Sequence, residues 1–253
     1  MKGSARAPVA TVANGGTRGR SLPKRFYKEV TTKSEGEGVS VRLDGKPVRT
    51  PAKAPLILPN TALAEAVAAE WRAQGERIDP ETMPLTKLAN STIDGVRGRE
   101  DAVLGDILRY AGSDLVCYRA EGPPGLAVAQ AKHWDPMLDF AKDRLAAPLR
   151  LAQGVVPAEQ PPASLDAIKG RLQTFDAWEL GALHALTGVA GSALLALAVA
   201  LKHLSPEQAW EVAHVDEDWQ ISQWGQDEEA RIKRANRWRD FAAAAHMLKL
   251  RQA

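Results

Sequence analysis

The chain has 253 residues, 45% hydrophobic and 25% charged, with 33 basic against 31 acidic side chains and a formal charge of +2. That length supports one large or two modest domains with real cores, and the near-neutral balance argues against a polyanion as the main partner. Cys117 is the single cysteine, which excludes an internal disulfide, a cysteine metal cluster and a dithiol redox site.

Through Lys28 the chain carries Lys2, Arg6, Arg18, Arg20, Lys24, Arg25 and Lys28 and no acid, while Pro8 and the Gly15-Gly16 pair oppose a helix. Residues 1–21 read as a disordered basic tail of a bacterial cytoplasmic protein. The alternative, a transit peptide, would place the protein in the mitochondrial matrix. No secretory signal pattern opens the chain, so export is not expected.

Next, GVSVRLDGKPVRTP alternates Val39, Val41 and Leu43 against Ser40 and Arg42, and Asp44-Gly45 sits where a two-residue primed turn closes a hairpin. The run Pro55–Pro59 adds a short third strand. Asn60 or Thr61 can cap a helix whose Leu63, Val67 and Trp71 fall on one face, with Gly75 as its stop. Residues 22–90 are therefore expected to form a small α+β domain, a β-rich unit with a backing helix.

From about Thr86 the periodicity turns helical, with Val103, Ile107 and Tyr110 in one segment and a break at Glu121–Gly125, so residues 91–253 are expected to form a larger all-helical domain. Asp135-Pro136 reads as a cap and first-turn proline where a helix restarts. Ala152–Ser164 reads as a proline-rich loop. Leu180–Leu201 is uncharged and nominally long enough to span a bilayer. Its Ala and Gly content, with His184, Thr187 and Ser192, favours a buried central helix pair, broken near Gly188 and Gly191, over membrane insertion. Ser205-Pro206-Glu207-Gln208 is a capping box with proline in the first turn.

The chemistry-bearing stretch is HVDEDWQISQWGQDEE, residues 214–229. On one continuous helix Trp210, His214, Glu217, Ile221 and Trp224 form a single stripe. A metal-dependent hydrolase using His214, Glu217 and Asp218 is one reading, but no HExxH or paired-histidine motif accompanies it. No P-loop or GxSxG elbow occurs either, so no enzyme class announces itself. Glu217 on an apolar stripe needs a partner. Two remain open: an arginine of the following RIKRANR helix, or a bound protein, for which surface tryptophans are natural anchors.

Six segments, RFYKEV, LDGKPVRTPAKAPLILP, LAEAVAAEW followed by Gln74, MPLTKLANSTIDGV, YAGSDLVCYR and DEDWQISQWGQDEE, occur in this order. With them the chain from about Phe26 resembles the ATP synthase assembly chaperone family, mitochondrial and alphaproteobacterial, that acts on the α subunit of the F-type ATPase catalytic head. The resemblance implies a small β-rich domain joined to a larger helical one, no cofactor, no enzymatic activity and no catalytic residue, and the free α subunit as partner. No nucleic acid and no membrane insertion are implied, and a monomer is expected. The motif maps onto Glu217, Asp218, Trp219, Gln220, Trp224 and Gly225 as partner-binding candidates, and onto Tyr110, Asp114, Cys117, Tyr118 and Arg119. The basic tail has no counterpart in the family.

Overall fold

The computed structural model describes residues 22–154 and 158–252; the basic tail read over residues 1–21 lies outside them. Strand β1 (Val30–Glu35) pairs antiparallel with β2 (Gly38–Leu43), whose other side is shared by β3 (Lys46–Pro47) and β4 (Ile57–Leu58). The Asp44-Gly45 turn between β2 and β3 has positive φ at both residues, 47° and 76°, as a primed turn requires. Val39, Val41 and Leu43 of β2 are buried. Helix α1 (Thr61–Arg72) covers them with Leu63 and Val67, and Asn60 caps it by accepting from the Leu63 amide at 2.9 Å. It ends at Arg72 rather than running to Gly75. There the Tyr27 hydroxyl donates to the Trp71 carbonyl at 2.7 Å.

The helical remainder runs α2 (Pro84–Ser91), a π turn at Thr92–Val96, α3 (Glu100–Gly112), β5 (Tyr118–Arg119), α4 (Pro124–Leu145), β6 (Ala152–Gln153) and α5 (Pro162–Leu172). It continues with α6 (Ala177–Ala190), α7 (Ala193–Ala200), α8 (Pro206–Ala213), α9 (Val215–Trp224) and α10 (Glu228–Arg251). The Leu180–Leu201 run resolves into α6 and α7, which lie at the centre. Every residue of α7 is buried, and α6 packs on α3, α7 and α10. Gly191, with φ at 70°, ends α6, and Ser192 caps α7 through the Leu195 amide. Among the described residues no helix is long and apolar enough to cross a membrane. Gly181 is needed for packing: a Cβ there would stand 2.4 Å from the Thr92 hydroxyl oxygen, so only glycine lets α6 close on the π turn.

Polar contacts tie the sheet unit to the helices. Asp94 in the π turn accepts from the Thr50 hydroxyl at 2.7 Å, and Glu70 of α1 caps α2 by accepting from the Leu85 and Thr86 amides. Asn60 donates to the Leu250 carbonyl near the end of α10 at 2.9 Å.

Two local expectations fail. No helix restarts at Asp135-Pro136, because α4 runs unbroken through Pro136. Trp134, Met137, Phe140 and Ala141 are all buried, and that packing outweighs the one intrahelical bond proline cannot donate. The Ala152–Ser164 stretch is not wholly loop. Ala152 and Gln153 pair in parallel with Tyr118 and Arg119, and α5 already includes Pro162, Ala163 and Ser164.

Candidate functional site

Helix α8 starts at the anticipated capping box, Ser205 accepting from the Gln208 amide and Gln208 from the Ser205 amide. The helix does not continue through the tryptophan motif. His214 adopts φ −114° and ψ 20°, and a new helix, α9, begins at Val215 with Asp216, Glu217 and Asp218 in its first turn, where carboxylates face a favourable dipole. The single stripe from Trp210 to Trp224 is therefore split into two faces.

On the α8 side, Trp210 packs against His214, Trp238 and Phe241, with ring centroids at 3.8, 5.3 and 5.6 Å. His214 is buried and its Nδ1 lies 2.8 Å from the Trp210 carbonyl, so that nitrogen must carry the proton and donate. Burial holds its pKa below the ordinary histidine value, and Arg237 and Arg234 push the same way, which keeps the imidazole neutral near pH 7.

On the α9 side, Glu217 and Asp218 meet arginines of α10. Arg237 donates to Glu217 Oε2 at 2.5 Å, Arg234 reaches Asp218 at 2.5 Å, and Arg234 stands 3.7 Å from Glu217. Two carboxylates and two guanidinium groups form a neutral, half-exposed cluster. Of the two partners open to Glu217, the internal one from the RIKRANR segment is the one present. The arrangement does not suit a metal: Glu217 and Asp218, the carboxylates near His214, are both held by arginines, and among the described residues no group of three or more His, Cys, Asp or Glu could hold an ion. The hydrolase reading fails on that geometry.

Beyond the carboxylates lies the apolar part. The Trp219 indole nitrogen lies 3.6 Å from where a Cβ on Gly125 of α4 would sit, and Trp219 meets Trp224 edge to face at 5.8 Å. Trp224 is 75% exposed and Gln220 is exposed as well. Val128, one turn along α4 from Gly125, is 69% exposed. Asp216 holds α9 to α4 by accepting from Gln130 at 2.8 Å.

The second motif, YAGSDLVCYR, is internal. Asp114 is fully buried and has no cationic partner among the described residues; its carboxylate accepts from the Val116 and Leu194 amides, and burial raises its pKa to about 6. The Cys117 thiol is buried and pushed up to about 12, so it is an inert core group. Arg119 donates to the Val116 and Tyr118 carbonyls, pairs with Asp135 at 2.5 Å and lies over Trp134. Tyr110 and Tyr118 are half-buried in the same joint. Sequence reasoning missed Trp238, Phe241 and Gly125 as supports. The first two stand three apart at the apolar onset of α10, a visible signal, whereas nothing in the sequence marks Gly125.

Residues 24–142 match the family model described as ATP12 chaperone protein. The chain is similar to the Atu1473 protein of Agrobacterium tumefaciens, 46% identical with a TM-score of 0.87 over 90% of this chain and 86% of that one. It is similar also to Atp12 from Paracoccus denitrificans, 41% identical with a TM-score of 0.84 over 90% and 98% of the two chains. Protein atp12, mitochondrial, of Schizosaccharomyces pombe is 22% identical over 219 residues, 82% of this chain and 75% of the relative.

Proposed function

The chain belongs to the ATP12 chaperone family, and from that premise we propose that it is an ATP-independent assembly chaperone. It holds the free α subunit of the F-type ATP synthase catalytic head and covers its interface until β takes over. No catalysis belongs to that role. The observation that carries the choice of surface is Trp224, three-quarters exposed on a helix whose carboxylates are already neutralised from within. A large aromatic left in water at such a place is what an anchoring contact needs.

Trp219, Gln220 and Trp224 are therefore the contact residues of this reading, while Glu217 and Asp218 hold the helix that presents them. Hand-over to β demands an interface weaker than the final one, so a transient contact of ~1,000–2,000 Å² is expected. A bacterial cytoplasm is the proposed compartment, supported by the bacterial relatives and the single buried thiol. Co-purification with separately expressed α and β subunits tests the function. Capture of α alone is the expected result; capture of neither, or of β only, overturns it.

A further inference from the structure

We propose that α9 is a hinged flap, latched to the body by arginines of α10, that opens while the rest of the fold stays closed. Both ends are jointed. His214 interrupts the helix at its start, and Gly225 at its end adopts φ 78° and ψ −178°, a backbone conformation that glycine alone adopts readily. Between the joints Val215 is the only buried residue, and none of the buried residues of α10 precedes Phe241. The segment from Asp216 to Arg237 therefore holds its place with no fully buried apolar side chain, which is the mark of a unit with a low local opening free energy.

What holds α9 is polar and peripheral. On one side Gln130 binds Asp216 and the Trp219 ring leans over Gly125. On the other side Arg234 and Arg237 reach across from α10 to Asp218 and Glu217. Ion pairs at this exposure weaken as salt rises, so the latch is salt-sensitive where the α6–α7 core is not. Opening would free Trp219 from Gly125 and present it together with Trp224. That functional consequence rests on the client reading above, whereas the hinge itself does not.

Native-state amide hydrogen exchange on the full chain, without any α subunit, tests the hinge. In low denaturant the α9 amides should exchange at least about 100-fold faster than those of α6, with rates that barely depend on denaturant, as local opening requires. The double variant Arg234→Ala, Arg237→Ala should speed α9 exchange by about tenfold and α6 exchange, which requires global unfolding, by no more than the same factor, so that α9 remains the faster. If that variant does not fold, raising NaCl to about 1 M on the unaltered chain tests the same latch, since screening at that strength acts over about 3 Å. Exchange of α9 only in step with α6, or α9 rates indifferent to both perturbations, overturns the proposal. Loss of α-subunit capture with a confirmed hinge would instead count against the client reading alone.

Discussion

Reversing one charge, Glu217→Lys, probes the cluster that fixes α9. The Glu217 side chain is 30% exposed, and its partners Arg237 and Arg234 are 44% and 20% exposed, so solvent screens both arms. Each arm then contributes about 0.5–1 kcal/mol, and losing both removes ~1–2 kcal/mol. An ammonium set beside two guanidinium groups adds ~1 kcal/mol of repulsion before the lysine swings into water. The total of ~2–3 kcal/mol corresponds to a fall in melting midpoint of roughly 4–12 °C for a chain of this size. Undocking of α9 limits the loss from above, because only Val215 leaves the core with it. Combining Glu217→Lys with Arg237→Glu restores an opposite-charge pair and should recover at least half of the fall. Circular dichroism melts of the parent, Glu217→Lys, Arg237→Glu and the combined variant, paired with capture of the α subunit, decide the matter. An unchanged midpoint, or a fall that the exchange does not recover, refutes the latch as the role of Glu217.

Trp224→Ser should leave the melt within about 0.5 kcal/mol of the parent but weaken α-subunit capture by at least about tenfold, measured by titration binding; equal capture would remove α9 from the contact surface. Asp114 has a folded pKa of about 6, above the ordinary aspartate value of 3.8, so the folded state binds the proton more tightly. Its contribution is fully present below about pH 4 and is lost as pH rises toward 6, a difference of ~3 kcal/mol that is flat above it. Asp114→Asn cannot titrate, so its stability relative to the parent should rise between pH 4.5 and 7 in urea melts; parallel pH profiles would contradict the buried-carboxylate account. Pro136→Ala should stabilise by about 1–2 kcal/mol, because alanine restores an amide donor within the unbroken α4; a lower midpoint in thermal melting would show that α4 is shaped around its proline.

Where local chemistry and burial agree, the fold could be read from residues alone. Asp44-Gly45 allows few turns, Asn60 and Ser205 cap by side chains of the right type, and an uncharged Ala-Leu run split by Gly191 packs as two central helices. Strand β1 escaped because its residues, VTTKSE, carry only one buried apolar side chain, Val30, and so show no alternation. The parallel pairing of Tyr118–Arg119 with Ala152–Gln153 is set by tertiary packing and has no local signal. At the candidate site the residue types were legible and their division was not. A continuous 3.6-residue period places Trp210 and Trp224 on one face; the break at His214 sends Trp210 into the Trp238–Phe241 cluster and leaves Trp224 in water. The run Asp216-Glu217-Asp218 was the available clue, since consecutive acids mark a first turn as readily as a helix face.

Helix α10 also has a bearing on how this chain is made. It packs on α1, α2 and α6, and the carbonyl of its Leu250 receives the amide of Asn60. All of those elements leave the ribosome before α10 does, at about 5–20 residues per second. The faces it covers, on the sheet unit and on the central helices alike, therefore wait exposed during translation. Closure of the fold is a late event governed by the arrival of one helix. A protein that shelters an unpaired subunit thus passes through its own interval of unsheltered surface.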